Sequence, residues 1–197
     1  LLLIFTNTIM KYFTPEIFWH ADRERVMSID FEPGTNLMVS AGQDNEDNSY
    51  IRMWSWEEEN GKFVPTFLRD LTGHADTVNI VRFSPNGRIL ASGSDDRNIL
   101  LWEKKLRPKE FGSAEDIESW GCAKLLQGHG ADVYDLCWSA DGKHLVSGSI
   151  DNQTLIWNIE KGRCIQRLDG HSNFVQGVAW DPLNKFIMSH SCDRSVR

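Results

Sequence analysis

The sequence predicts an all-β fold in which one unit of four short strands is repeated along the chain. Gly-His pairs recur at positions 73–74, 128–129 and 170–171, and each histidine is followed 22 residues later by an aspartate. Successive histidines are 55 and 42 residues apart, and no long segment has the 3.6-residue period of a helix. Repeats of this length that contain only short strands indicate a β-propeller.

The strands of each unit follow from β-branched runs and turn sequences. First strands are predicted at 78–83, 133–138 and 175–180, each followed by a turn that contains Pro, Gly or Asn. Second strands close on small residues at 89–94, 145–149 and 186–191. Third strands end in Trp102 and Trp157, and fourth strands at 122–126 and 163–168 lead into the next Gly-His pair.

A degraded copy of the unit comes first, with Trp19 and His20 in place of Gly-His and strands at 26–31, 37–41 and 50–54. Asn48 stands 28 residues after His20, so this copy has gained six residues relative to the others. The sequence therefore leaves three candidates for the acidic position of the first copy, namely Asp44, Asp47 and Asn48.

Each unit also repeats a set of polar side chains at fixed spacing. The sets are His74, Ser92, Asp96 and Trp102; His129, Ser147, Asp151 and Trp157; and, with no tryptophan, His171, Ser189 and Asp193. Ser, His and Asp together suggest a hydrolase, but they also suit a buried relay that runs from the indole N–H through serine and histidine to the carboxylate. An enzyme needs only one catalytic centre, whereas a structural clamp is needed in every repeated unit. The repetition therefore favours a structural relay and predicts no catalytic residue.

Composition and motifs argue against several other classes of function. The net charge is −7 and the pI is about 5.3, so no overall positive field would attract DNA, and direct sequence-specific DNA binding is not expected. The four cysteines lack metal-ligand spacing, and there is no nucleophile elbow, phosphate loop or His-Glu-x-x-His. The opening apolar run of five residues is too short to span a membrane. We expect no enzyme activity, metal, cofactor or membrane association, and expect Cys137 and Cys164 to be reduced and buried.

Acidic clusters mark three insertions relative to the basic unit. One spans 44–48, between a second and a third strand, and two follow third strands, at 57–59 and 103–121. These positions fall on opposite faces of a propeller. The clusters are either solvated loops or contacts for a basic segment of a partner, for which Asp44, Glu46 and Asp47 are candidates.

The Gly-His pairs, together with Asp-Asn-Gln-Thr-Leu-Ile-Trp at 151–157, resemble the WD-repeat family from about residue 12 onward. This resemblance implies antiparallel four-stranded blades, usually seven to a ring. The domain is expected over 10–197, with blades at about 20–71, 72–127, 128–169 and 170–197. The last is cut short before a tryptophan expected two residues beyond Arg197, so we expect three blades and part of a fourth. Residues 1–9 precede the first methionine and are expected to be upstream or added sequence.

Further stretches at 16–20, 78–85, 132–138, 174–182 and 191–194 resemble a narrower group. This group contains the middle, WD-repeat subunits of chromatin assembly factor one and, next nearest, the Hir-type histone chaperones. The resemblance implies a noncatalytic, nuclear interaction platform that helps assemble nucleosomes during DNA replication and repair. Its implied partners are the large subunit of the assembly complex and core histones, with other histone chaperones reached only through regions outside this sequence.

Partner-binding residues are expected at the mouth of the ring, beside the first residue of each first strand. These positions are held by Asn79, Asp132, Tyr134, Phe174 and Gln176. Blade core is the alternative for the two aromatic residues. A generic propeller adaptor, such as a ubiquitin-ligase substrate receptor or a signalling scaffold, is the alternative function, because the fold alone does not choose between partners.

Overall fold

The computed structural model describes residues 25–43, 49–59, 62–106 and 118–197. These ranges contain 14 strands and no helix, arranged as three four-stranded sheets and one two-stranded sheet, all antiparallel. Strand order within each sheet follows chain order. The strands are β1 Arg25–Phe31, β2 Leu37–Gln43, β3 Ser49–Glu59, β4 Lys62–Leu71, β5 Val78–Phe83, β6 Ile89–Ser94, β7 Ile99–Leu106, β8 Glu118–Leu126, β9 Val133–Trp138, β10 His144–Ser149, β11 Thr154–Asn158, β12 Arg163–Leu168, β13 Val175–Trp180 and β14 Ile187–Ser191.

The sheets pack face to face as the blades of an incomplete WD-repeat β-propeller, which confirms the predicted fold class. Blade 1 is β1–β4, blade 2 is β5–β8, blade 3 is β9–β12, and β13 and β14 begin blade 4. The first strands β1, β5, β9 and β13 contact one another in sequence. The N–H and C=O of Arg197 both bond to Ser189, at 2.9 and 3.0 Å, so a third strand starts to pair with β14.

Two strand pairs run further than the sequence predicts. Residues 57–59 are predicted to be a loop, but β3 continues through Glu59 and pairs with β4 from Lys62. The second pair, β7 and β8, extends in the same way from Trp102 to Leu106. In β3–β4 a side-chain contact across the pair supports the added length, because Trp56 stacks on Phe63 with ring centroids 5.4 Å apart. Both pairs form hairpin arms longer than that of blade 3.

Apolar side chains fill the spaces between neighbouring blades. A buried cluster that includes Val39, Ile51 and Phe83 joins blades 1 and 2, and another that includes Leu101, Leu136 and Trp157 joins blades 2 and 3. Burial of this apolar surface is the main favourable term that holds the sheets together.

Polar groups on the inner strands add a second link between blades. Ser28 and Asp30 of β1 accept hydrogen bonds from the N–H groups of Val81 (3.2 Å) and Phe83 (2.7 Å). The repeat equivalents in β9, Asp135 and Cys137, accept from Val178 (2.9 Å) and Trp180 (3.3 Å). Between blades 2 and 3 the link is different, because Trp138 Nε1 donates to the Arg82 carbonyl at 2.9 Å.

A glycine at the fifth residue of β6 and of β10 makes room for the next blade. A Cβ placed on Gly93 would lie 2.7 Å from Val133 Cγ1, and one on Gly148 would lie 2.7 Å from Val175 Cγ1. These distances are too short for ordinary packing, so each glycine lets the first strand of the following blade approach closely.

Candidate functional site

The His–Ser–Asp set of blade 2 forms a continuous hydrogen-bond relay. Trp102 Nε1 donates to Ser92 Oγ at 2.9 Å, and Ser92 Oγ lies 2.8 Å from His74 Nε2. His74 Nδ1 lies 2.8 Å from Asp96 Oδ2, and the same carboxylate oxygen accepts the Ala75 N–H at 3.0 Å. Strands β6 and β7 supply the serine and tryptophan, while the loop before β5 supplies the histidine.

The turn after β6 holds the carboxylate of the relay in place. The N–H of Asn98 donates to Asp96 Oδ1 at 2.9 Å, and Ser94 Oγ accepts the Asp96 N–H at 3.1 Å. The next residue in each turn lies in the left-handed region, with φ of 71° at Arg97, 70° at Asn152 and 69° at Arg194. The same sharp turn therefore aims the aspartate at the histidine in three blades.

The relay recurs in blade 3 with almost the same distances. Trp157 Nε1 donates to Ser147 Oγ at 2.8 Å, Ser147 Oγ lies 2.7 Å from His129 Nε2, and His129 Nδ1 lies 2.9 Å from Asp151 Oδ2.

In blade 4, His171 lies 2.9 Å from both Ser189 Oγ and Asp193 Oδ2, and Ser195 Oγ donates to Asp193 Oδ1 at 2.7 Å. Blade 1 keeps the Trp54 Nε1 to Ser40 Oγ bond at 2.7 Å. His20, Asp44, Glu46, Asp47 and Asn48 lie outside the described residues.

The carboxylates of the relay are held in their ionised form. Burial raises the pKa of Asp96, but hydrogen bonding and charge from His74 and the two backbone N–H groups outweigh it and leave the pKa at about 2. Asp151 also has a pKa of about 2, because burial raises its pKa but the hydrogen bonds from His129 and the Gly130 N–H lower it by more. The hydroxyl of Ser195 is the main cause that lowers the pKa of Asp193.

The serines of the relay are inaccessible to a substrate. Ser92 and Ser147 are 0% exposed and Ser189 is 8% exposed. In blades 2 and 3 each Oγ is already shared between an indole and an imidazole. An acyl-transfer nucleophile must reach a carbonyl carbon beside an open pocket, and these oxygens are enclosed between blades. The geometry suits a clamp that joins strands within a blade.

The predicted partner-binding residues of blades 3 and 4 lie at the start of the first strands β9 and β13. Tyr134 and Phe174 are 45% and 47% exposed, and Gln176 is exposed as well. Asp132 is half-buried beside them in the chain. Asn79, by contrast, is only 8% exposed, which places it away from partners that approach through solvent.

Asn79 instead links two blades and positions a neighbouring carboxylate. Its Nδ2 donates to Asp95 Oδ1 at 2.6 Å and to the Val133 carbonyl of blade 3 at 3.1 Å. The sequence did not single out Asp95 or Asp76, although Asp95 occupies the same turn position as Ile150 and Cys192. Comparing this turn position across the repeats would have identified Asp95 from the sequence.

Three carboxylates converge where blades 2 and 3 meet. Burial raises the pKa of Asp132, and the charges of Asp95 and Asp76 raise it further, while Arg97 acts in the opposite direction. Two of them, Asp76 and Asp95, line a groove of about 500 Å³ together with Asp96, Arg97 and residues 127–129. This part of the mouth is strongly acidic.

All four cysteines are free thiols. Cys122 and Cys192 are exposed, and Cys137 and Cys164 are half-buried rather than buried as expected, because Cys137 borders the incomplete blade 4 and Cys164 lies on the outer strand of blade 3.

In the described part of the chain, no group of three or more His, Cys, Asp or Glu side chains could hold a metal ion, and no helix could cross a membrane.

Comparison with known proteins identifies the family. The family described as the CAF1B/HIR1 beta-propeller domain matches residues 10–197. The B subunit of chromatin assembly factor 1 from Gallus gallus is 43% identical over 95% of this chain and 35% of its own length. The Mus musculus protein of the same name is 43% identical over 95% of this chain and 34% of its own length.

A more distant relative is Protein HIRA of Oryza sativa subsp. japonica, which is 41% identical over 70% of this chain and 15% of its own length. The chain thus spans about a third of the length of the two chromatin assembly factor 1 relatives and less of the HIRA protein. With a family match over nearly its whole length and repeated blades of the expected type, the chain belongs to the CAF1B/HIR1 β-propeller family.

Proposed function

We propose that this propeller is a noncatalytic protein-interaction platform of a histone chaperone complex that assembles nucleosomes during DNA replication and repair. The observation that carries the proposal is the family match over residues 10–197, together with 43% identity to the B subunit of chromatin assembly factor 1. The proposed partners are the large subunit of that complex and core histones, and the proposed location is the nucleus.

The geometry supports a binding role rather than catalysis. Relay serines are buried in all three sets, and each bonds to the histidine of its own blade. Residues at the mouth differ between blades, and there Asp132, Tyr134, Phe174 and Gln176 are the proposed contacts, with Asn79 acting indirectly through Asp95. Variation on a constant scaffold is typical of recognition surfaces.

Affinity purification from nuclear extract tests the proposal against the adaptor alternative. We expect the tagged chain to recover the large subunit of the assembly complex and core histones. Recovery of a cullin-ligase adaptor without histones would favour a ubiquitin-ligase receptor instead. Ile165→Ser changes a side chain that is 49% exposed on the outer strand of blade 3. This variant should recover the same proteins as the unaltered chain and serves as the control.

A further inference from the structure

The connections from first to second strands lie at the end of the blades opposite to the mouth. The mouth residues precede or begin the first strands, whereas these connections follow the same strands, so the full length of a strand separates the two. We call the surface that they form the turn face. It consists of the turns at 32–36, 84–88, 139–143 and 181–186.

Contacts between neighbouring turns join the turn face from blade 2 to blade 4. A Cβ placed on Gly142 would lie 3.7 Å from Pro85 Cδ, which puts the turns of blades 2 and 3 side by side. The Ala140 N–H donates to Asn184 Oδ1 at 2.9 Å and so joins the turns of blades 3 and 4. These three turns therefore form one surface.

The loop between β11 and β12 belongs to the same surface. Its Ile159 N–H donates to the Lys143 carbonyl at 3.1 Å. From blade 2, Lys124 Nζ donates to the carbonyls of Ile159 and Glu160, both at 2.8 Å. Lys161 of this loop therefore lies next to the turn that carries Lys143.

Three successive turns carry a cation at the same position, two residues before the first paired residue of the second strand. These cations are Arg88, Lys143 and Lys185, and all three are exposed. Each backbone N–H donates to an Asn or Asp oxygen of its own turn, at 3.0, 3.0 and 3.1 Å. The repeat thus places one exposed cation per blade along the turn face.

The positive charge of these side chains is not neutralised by ion pairs. Within the described ranges, ion pairs are absent from four exposed cations of this surface, namely Arg88, Lys143, Lys161 and Lys185. The carboxylate of Asp141, by contrast, is used inside its turn. The Lys143 N–H and then the Ser139 hydroxyl lower its pKa, and that hydroxyl donates to it at 2.7 Å.

A groove of about 350 Å³ opens at the blade 2 end of this surface. Its lining consists of Arg88, Ile89, Glu103 and Lys104. Lys104 Nζ is held 2.9 Å from Glu32 Oε1, so Arg88 is the cation of this lining that has no ion pair. Half-buried Ile89 adds an apolar contact beside it. An anion next to an apolar group suits this end of the turn face.

The surroundings of the turn face favour a short acidic ligand over a nucleic acid. The Trp56 N–H donates to the Asn36 carbonyl at 2.9 Å, so the arm of blade 1, with the exposed glutamates 57–59, borders this surface. The chain as a whole has a net charge of −7. A long phosphate backbone would meet these negative charges, whereas a short acidic segment would contact only the cations.

We propose that the turn face binds a short acidic segment of a partner protein through Arg88, Lys143, Lys161 and Lys185. Carboxylates of the segment pair with these cations, and an apolar side chain of the segment packs on Ile89. Histones are basic, so this inference goes beyond the proposed function and gives the propeller a second class of partner on the face opposite to the mouth.

Fluorescence anisotropy with two labelled peptides tests the proposal on the 197-residue chain. The first peptide alternates Glu-Asp pairs with leucine, and the second has Gln-Asn pairs in place of the acids. We expect the first to bind at least about tenfold more tightly, with an affinity that falls as salt is raised, because exposed charges are screened. Equal affinity for the two peptides would overturn the proposal.

A pair of double variants locates the site. Arg88→Gln with Lys143→Gln removes two charges from the turn face and should weaken binding of the first peptide about fivefold to tenfold. Arg25→Gln with Arg194→Gln is the matched control, because it removes two exposed charges at the mouth ends of β1 and β14. Equal weakening in both double variants would assign the effect to overall charge and contradict the proposal.

A substitution of opposite sign provides an independent check. Glu160 is exposed and precedes Lys161 in the β11–β12 loop, so Glu160→Gln removes a negative charge beside the proposed site. We expect this variant to bind the first peptide about twofold more tightly. Weaker binding at an unchanged melting temperature would contradict the proposed contact.

Labelled duplex DNA separates the acidic segment from a nucleic acid. We expect the unaltered chain to bind the duplex more weakly than the first peptide at the same salt concentration. Tighter binding of the duplex, with loss of that binding in the variant that carries Arg88→Gln and Lys143→Gln, would make the turn face a nucleic-acid site and the proposal wrong. Melting temperatures of all variants, measured in parallel, show whether each one is folded.

Discussion

His129 is buried, and both of its ring nitrogens take part in hydrogen bonds, to Asp151 at 2.9 Å and to Ser147 at 2.7 Å. His129→Ala would leave these two groups and the Trp157 N–H with fewer partners inside the blade. We expect a loss of about 1 to 3 kcal/mol in the free energy of unfolding, measured by urea denaturation. Gln166→Ala, at an exposed position of β12, is the control. Equal stability of the two variants would rule out the relay as a structural clamp.

The relay carboxylates make stability depend on pH in the acid range. Asp96 and Asp151 have a pKa of about 2 in the folded chain, compared with an ordinary value of 3.8. A carboxyl with a lowered folded pKa stabilises the fold above its unfolded pKa and loses that contribution as pH falls through its folded pKa. The melting temperature should therefore fall between pH 3.8 and pH about 2.

Substitution distinguishes the relay from other acidic groups. Asp96→Asn with Asp151→Asn should reduce this acid-range slope, whereas Asp169→Asn, at an exposed position, should leave it unchanged. Thermal melts across the range, followed by circular dichroism, provide the measurement. A slope in the double variant as steep as in the unaltered chain would assign the pH dependence to other residues.

Close contact between blades 2 and 3 requires glycine, which has no side chain, at position 93. Because a Cβ on Gly93 would lie 2.7 Å from Val133 Cγ1 and 2.9 Å from Ile80 Cγ2, Gly93→Ala would push two blades apart. We expect about 1 to 3 kcal/mol of destabilisation by chemical denaturation. Gly121→Ala is the control, since its Cβ would meet only the flexible Lys105 side chain, at 3.2 Å. Similar stability of both variants would contradict the close approach.

An ion pair fixes the long β7–β8 arm of blade 2 to blade 1. Lys104 Nζ lies 2.9 Å from Glu32 Oε1, and the Glu32 side chain is 2% exposed. A double-mutant cycle with Glu32→Gln and Lys104→Met should give a coupling free energy of about 0.5 to 3 kcal/mol. Strictly additive effects of the two substitutions would show that the pair does not join the blades.

The sequence predicted the elements whose structure depends on local signals. The runs at 78–83, 133–138 and 175–180 coincide with β5, β9 and β13, because β-branched residues and a following turn define both ends. The long hairpin arms were not predicted, since their length depends on partners across the strand pair, such as Trp56 with Phe63. Likewise the spacing of His, Ser and Asp indicated the relay, but the position of Asp95 at the mouth depends on how neighbouring blades meet.

On the scale of the whole molecule, the two end faces of the sheet stack differ from the internal ones. Ile29 and Phe31 of β1 are 56% and 50% exposed, although their repeat equivalents Val81 and Phe83 are 0% and 6% exposed. Met188 of β14 is 55% exposed, and its equivalent Ala91 is fully buried. Apolar faces of this kind favour association.

We therefore expect these 197 residues, when isolated, to self-associate in a concentration-dependent way. Ile29→Lys with Met188→Lys should reduce this association by placing charge on both end faces, and Ile165→Lys, away from the ends, should not. Sedimentation velocity over a range of concentrations measures the effect. A monomer at every concentration would show that the exposed end faces have no such consequence.

Reconstitution from purified components tests the central claim most directly. The chain is mixed with the large subunit of the assembly complex and core histones, and the product is measured by size-exclusion chromatography with light scattering. The interaction-platform account predicts one complex of defined stoichiometry that contains all components, and predicts that His129→Ala preserves it wherever the variant remains folded. Failure of the folded, unaltered chain to join either partner would contradict the account.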